Sequence, residues 1–152
     1  MASSIYIFPG GLSTSGGGLA VGGNPVPVVV SSGRVVAQTA AVASIATFAN
    51  GATDASYEVG GNFLATVSTT YSIDMTVSYT DESNTARVIK LNMLTVAGAV
   101  TNSAPMTAAN GPLFQAHPIE IRVKASTSIT IGTVGTFTTV TYNAEGIIKK
   151  LN

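Results

Sequence analysis

The chain has no cysteine, no tryptophan, one histidine, and only seven basic and seven acidic side chains in 152 residues. Without thiols there is no disulfide framework, no thiolate metal site and no cysteine nucleophile. The lone His117, set between Ala116 and Pro118, does not make a metal site by itself. A hydrolytic triad would need a nucleophile and an orienting acid beside it, and no Gly-Xaa-Ser-Xaa-Gly elbow is present. His117 therefore reads as structural or solvent-facing. The formal net charge is zero, so no long-range field favours nucleic acid or an acidic membrane surface.

Other absences narrow the field further. The uncharged stretch from Val35 to Ala49 is interrupted by Gln38, Thr39, Ser44 and Thr47 and is too short to span a bilayer. No basic region precedes Arg34, the first charged residue, so no secretory signal peptide is expected. Gly10 to Gly18 lacks the Gly-Lys-Ser/Thr ending of a phosphate loop. Asp81-Glu82 is the only adjacent acidic pair; it falls in a turn with no aromatic cleft implied, which suits a solvated turn better than a glycosidase pair. Lys149-Lys150 is too small a charge run for nucleic-acid binding. The expectation is a protein that is not an enzyme and takes no cofactor or metal. A small hydrolase ranks last among the possible functions.

What is present is a strand code. Residues 71–80 alternate strictly, with Tyr71, Ile73, Met75, Val77 and Tyr79 apolar and Ser72, Asp74, Thr76, Ser78 and Thr80 polar. Strand side chains point to opposite faces with a period of two, so the first set belongs to a core and the second to water. Ile119, Ile121 and Val123 repeat the code, with Glu120, Arg122 and Lys124 between them. One dry and one wet face is the mark of an antiparallel sheet. Further strands are expected over 34–39, 42–49, 56–68, 86–93, 128–132, 137–144 and 147–151. They are separated by turn residues at Asn50-Gly51, 81–84 and Asn110-Gly111-Pro112. Residues 97–115 carry Pro105 and Pro112 and read as the main loop. Gly60-Gly61 inside a strand suggests a bulge, and such a bend would let one strand serve both sheets. No stretch has a sustained helical period. The fold class is all-β, an antiparallel sandwich or barrel.

Composition divides the chain into two parts. Residues 1–33 are rich in Gly, Ser and Pro but hold apolar clusters at Ile5, Tyr6, Ile7 and Phe8 and at Val28, Val29 and Val30. A disordered linker would be polar, so these clusters point to an extended N-terminal arm that docks on a neighbour. The other reading makes Ile5–Phe8 the first strand of the sandwich, and composition leaves both open. Residues 34–152 form the sandwich domain. At 9% charged residues against roughly 25% in ordinary domains, the surface suits burial by copies of itself or by a scaffold. Abundant Ser and Thr keeping a monomer dispersed is the alternative.

Three stretches carry a family likeness: Asp54-Ala55-Ser56-Tyr57-Glu58-Val59, Tyr79-Thr80-Asp81-Glu82-Ser83-Asn84-Thr85-Ala86-Arg87, and residues 135–147, GTFTTVTYNAEGI. With Ile121-Arg122-Val123-Lys124-Ala125 between them, their order resembles small β-sandwich modules of tailed-bacteriophage virion proteins. The likeness covers about residues 42–151. It implies a jelly roll similar to the trimeric tumour-necrosis-factor and C1q type, no catalytic residues, and a place on the surface of the virion. The partners it implies are the chain itself, as a homotrimer, and the major capsid protein or another virion protein, with no nucleic acid and no membrane. Capsid decoration or a head fibre is the first function expected from it; a receptor- or glycan-binding module of a tail fibre is the alternative.

Overall fold

The computed structural model describes residues 12–13, 20–21, 24–68, 71–92, 94–96, 99–101, 106–107 and 113–151. Eight longer strands carry the fold. They are β4 (Val28–Gln38), β5 (Ala46–Ala49), β6 (Ala55–Ser68), β7 (Ser72–Thr80), β8 (Ala86–Lys90), β12 (Leu113–Val123), β13 (Ser128–Thr136) and β14 (Val140–Lys150). Short pieces fill the numbering: β1 (Leu12–Ser13), β2 (Ala20–Val21), β3 (Asn24–Pro25), β9 (Leu94–Val96), β10 (Ala99–Thr101) and β11 (Met106–Thr107). Among the described residues there is no helix, as the period-two code requires.

One sheet runs β12-β6-β14-β4; the other runs β7-β13-β5, with β8 and β11 both on the free side of β7. Every pairing is antiparallel. Among the eight long strands the first pairs with the last, the second with the seventh, the third with the sixth and the fourth with the fifth. A single long hairpin ribbon wound into two sheets gives this order, which is that of a jelly roll.

The sheets face each other over one core. Ile73, Met75 and Val77 of β7 and Ile129 and Ile131 of β13 are buried against Tyr57, Val59 and Phe63 of β6 and Tyr142 and Ile148 of β14. Phe63 stacks on Tyr142 with ring centroids 4.9 Å apart. Across the gap, the Tyr142 hydroxyl lies 2.8 Å from Thr133 Oγ1 and donates to the Ala40 carbonyl at 2.7 Å. Gly61 is a place where a side chain would not fit: a Cβ there would run into the Glu145 carbonyl of its own sheet and the Met75 methyl of the other.

Several sequence expectations change. Residues 97–115 are not a plain loop, since they hold β10, β11 and the start of β12, and Met106 is buried. The two pieces expected at 137–144 and 147–151 are one strand, β14, preceded by a turn at 137–139; Gly146 lies under Ile131 and Ala46 and does not break it. Strand β6 stays in one sheet through Gly60-Gly61, and the irregularity falls on its partner, between Ala116 and Ile119 of β12. Pro118, which has no N–H for the ladder, lies over Gly60 there. On the wet side of β7, Thr76 is buried instead of exposed. Residues 28–33, grouped with the arm on composition, pair with β14 as the first half of β4. Within the expected arm, β1, β2 and β3 form a small antiparallel sheet.

Candidate functional site

The winding puts the β5–β6, β7–β8 and β12–β13 turns at one end, together with the start of β4 and the end of β14. The β12–β13 turn is hydrogen-bonded to each of the other two. The Asn50 N–H donates to the Thr127 carbonyl (2.7 Å), Ser126 N–H to Gly51 (2.8 Å) and Lys124 N–H to Thr80 (3.0 Å). At the centre is the buried Asn50 side chain. Its Nδ2 donates to the carbonyls of Thr53 (3.1 Å), Val123 (3.1 Å) and Lys124 (2.9 Å), and its Oδ1 accepts from the Tyr57 hydroxyl at 2.6 Å. Burial pushes the Tyr57 phenol above its ordinary pKa, so it remains the donor at neutral pH.

The charges at this end are engaged in the same work. Asp81 accepts from the Thr85 N–H at 2.8 Å and from Arg87 Nε at 2.7 Å. The Thr85 amide first, and then Arg87, hold its carboxyl below the usual carboxylate range. Arg122 pairs with Glu82, Lys124 Nζ donates to Asn84 Oδ1 at 2.9 Å, and Asp54 accepts from the Ala125 N–H at 2.8 Å. Asp54–Val59, Tyr79–Arg87 and Ile121–Ala125, three of the quoted stretches, meet here. Their polar residues close the end of the sandwich, so this is a rigid base and not a set of free charges awaiting a ligand.

The opposite end has a different chemistry. The connections β4–β5 (39–45), β6–β7 (69–71), β8–β12 (91–112) and β13–β14 (137–139) contain no Asp, Glu, Lys or Arg. One end is thus charged and cross-bonded among the described residues, while the connections that join the strands at their other ends carry no charged residue in the sequence. The outer faces differ as well. On the β12-β6-β14-β4 sheet, strand parity turns six charged residues outward: Arg34, Glu58, Glu120, Arg122, Glu145 and Lys149. On the β5-β13-β7-β8 sheet it turns out only Asp74 and Lys90, which pair at 2.8 Å.

The expected anchoring residues divide three ways. Ile5, Tyr6, Ile7 and Phe8 lie outside the described residues. Val28 and Val29 sit at the start of β4 opposite Lys150 and Lys149 and are 42% and 54% exposed. Val30 packs against the core, because the register shift at Ile148/Lys149 turns it inward. The side chain of His117 is also outside the described residues, though its backbone belongs to β12. Among the described residues no three His, Cys, Asp or Glu side chains gather as a metal site would need, and no helix is long and apolar enough to cross a membrane.

Residues that the sequence did not single out carry much of this geometry. Asn92 is 2% exposed; its Oδ1 accepts from the Met75 N–H at 2.8 Å and its Nδ2 donates to Asp74 at 2.7 Å. It continues the β7 ladder by side chain where β8 has ended. Asp74, expected on a simple wet face, is therefore held from two sides. For Asn50, the Asn50-Gly51 turn signal marks the position but not the inward side chain.

No protein-family model matches the chain, and no curated protein matches it. Among solved structures it is similar to the CBM22-1 xylan-binding domain from Paenibacillus barcinonensis Xyn10C, with 11% identity, 79% of this chain and 86% of that chain covered, and a TM-score of 0.37. It is also similar to the infectious bursal disease virus Gx strain structure (9% identity, 99% and 46% covered, TM-score 0.27) and to the infectious bursal disease virus VP2 subviral particle (12%, 99% and 46%, 0.28). The chain spans about half the length of those viral chains. At these TM-scores the likeness is loose, and the fold rests on the strand order itself.

Proposed function

We propose that the protein is a non-catalytic structural subunit of a tailed-bacteriophage virion, repeated on the capsid surface as a homotrimer and held there by its N-terminal segment. The observation that carries this reading is the arrangement of the ends. The sandwich begins and finishes at the end whose loops are cross-bonded, beside Val28 and Lys150, and the uncharged end is opposite. A segment leaving at Val28 can hold a surface while a stiff body projects from it. Repetition on a particle multiplies weak contacts through effective concentration, so no single copy needs a tight site. The quoted motifs support the phage assignment, since three of them build one structural unit at the base. The major capsid protein is the partner this reading names for the arm.

The test is a chain lacking residues 2–27, cut before β4 so that the β4–β14 pairing is kept. It should melt as the full chain does but fail to attach to particles that lack the protein, while the full chain attaches. Attachment by the truncated chain would put the anchor in the sandwich. Binding of the full chain to host cells or glycans, with none to particles, would replace this reading by a tail-fibre receptor module.

A further inference from the structure

Asn50 and Gly51 stand side by side in the β5–β6 turn but differ in how the fold uses them. Asn50 is 6% exposed, and its amide has four hydrogen-bond partners. Gly51 is exposed, a Cβ on it would meet nothing within 4 Å, and its φ is not positive. The Gly51 carbonyl accepts from the Ser126 N–H, which any residue type could do. Neither packing nor backbone conformation calls for glycine here.

Glycine at this position has a chemical consequence. With no side chain crowding it, the Gly51 nitrogen can attack Asn50 Cγ. The new N–Cγ bond closes a succinimide ring, the Cγ–Nδ2 bond breaks, and Nδ2 leaves as ammonia with the proton given up by the Gly51 nitrogen. Water then opens the ring at either carbonyl. The products are aspartate or, with the backbone rerouted through the side chain, isoaspartate. One other Asn-Gly pair exists in the chain, Asn110-Gly111, and it lies outside the described residues.

The fold opposes the first step. Attack makes Cγ tetrahedral and expels Nδ2, but that nitrogen is held by the Thr53, Val123 and Lys124 carbonyls, and Oδ1 by the Tyr57 hydroxyl. The backbone is pinned on both sides by the Asn50 N–H on Thr127 and by Ser126 on the Gly51 carbonyl. The fold also rejects the products. An aspartate would aim a buried negative charge at three carbonyls with no N–H to offer them, and burying unpaired charge is costly. An isoaspartate would add a backbone atom between those two pinning bonds.

From these observations we infer that Asn50-Gly51 is a modification site gated by folding. Its conversion runs in the unfolded chain, is blocked in the folded one, and removes each converted chain from the folded population. This holds wherever the protein resides, and so goes beyond the function proposed above.

The experiment incubates the full-length chain in mildly alkaline buffer, with and without denaturing guanidinium chloride, and follows the amide-to-acid mass gain at Asn50 by peptide mass spectrometry. In denaturant both Asn-Gly pairs should convert, with Asn110-Gly111 as the check that the chemistry runs. In buffer, conversion at Asn50 should be at least about tenfold slower, because the turn must first open. After removal of denaturant, chains converted at Asn50 should be missing from the folded fraction. Two variants separate the causes. Gly51→Ala should melt as the unaltered chain does, yet convert about tenfold or more slowly in denaturant, since the added methyl crowds the attacking nitrogen. Tyr57→Phe releases Oδ1 and should convert faster than the unaltered chain in buffer but equally fast in denaturant. Equal rates at Asn50 with and without denaturant would overturn the inference, as would converted chains that refold and melt normally. Slower conversion of Tyr57→Phe in buffer would overturn it too, because the phenol would then be promoting the attack.

Discussion

Asn50→Ala is the sharpest probe of how the base of the sandwich is built. The substitution removes four hydrogen bonds at once, three donated to carbonyls of the β5–β6 and β12–β13 segments and one accepted from Tyr57. A typical bond contributes about 1 kcal/mol net, and a buried group left without a partner costs about 1–3 kcal/mol. The Thr53 and Lys124 carbonyls are partly buried and can turn to water; the Tyr57 hydroxyl and the Val123 carbonyl are buried. The expected loss is therefore about 3 kcal/mol, a large share of the roughly 5–15 kcal/mol of a whole domain. Urea unfolding followed by circular dichroism measures it, as a lower midpoint at unchanged slope. A double-mutant cycle adds discrimination. Tyr57→Phe alone should cost about 1–2 kcal/mol, but on the Asn50→Ala background it should cost close to nothing, because the phenol has already lost its acceptor. A loss below about 1 kcal/mol, or additive effects in the cycle, would refute the cross-bonded base.

Other outcomes follow from neighbouring contacts. Met75→Asp puts a carboxylate among the buried apolar side chains of β7 and should cost several kcal/mol or prevent folding. Asp74→Ala, one residue away, should cost about 1 kcal/mol, because it removes one hydrogen bond from the buried Asn92 amide and the ion pair with Lys90, above the roughly 0.5 kcal/mol of an ordinary surface change; equal melting temperatures for the two variants would contradict the register of β7. The lowered pKa of Asp81 makes its contribution to stability fully present above the ordinary carboxylate pKa of about 4 and lost as pH falls through the lower folded value. Acid titration of melting should thus be shallower in Asp81→Asn than in the unaltered chain, and parallel curves would contradict the assignment.

The sequence was legible where side-chain alternation met a one-sided sheet. Tyr71, Ile73, Met75 and Val77 are buried in the register their spacing implied, and Ile121 and Val123 likewise, because a single residue of slip would turn the whole set outward. It was least legible where glycine acts through space instead of through chain geometry. Gly61 and Gly146 mark close approach of the two sheets, and so did not end or bend the strands that contain them. Asn50 and Asn92 were unreadable for a related reason: as turn-prone residues they mark the ends of strands, and their inward hydrogen bonds join segments 73 and 17 residues away. Asp81 lay in the turn that was expected, but its ties to Thr85 and Arg87 depend on how the hairpin closes.

Imaging the intact particle that carries this chain, at a resolution that shows strands, is the most direct measurement of the central claim. The account predicts repeated jelly-roll densities on the outer surface of the capsid, clustered about three-fold axes. Each should have the Asn50–Asp81–Lys124 end toward the shell and the uncharged loops pointing outward. Density for the chain only at the tail tip, or none on the particle, would contradict it.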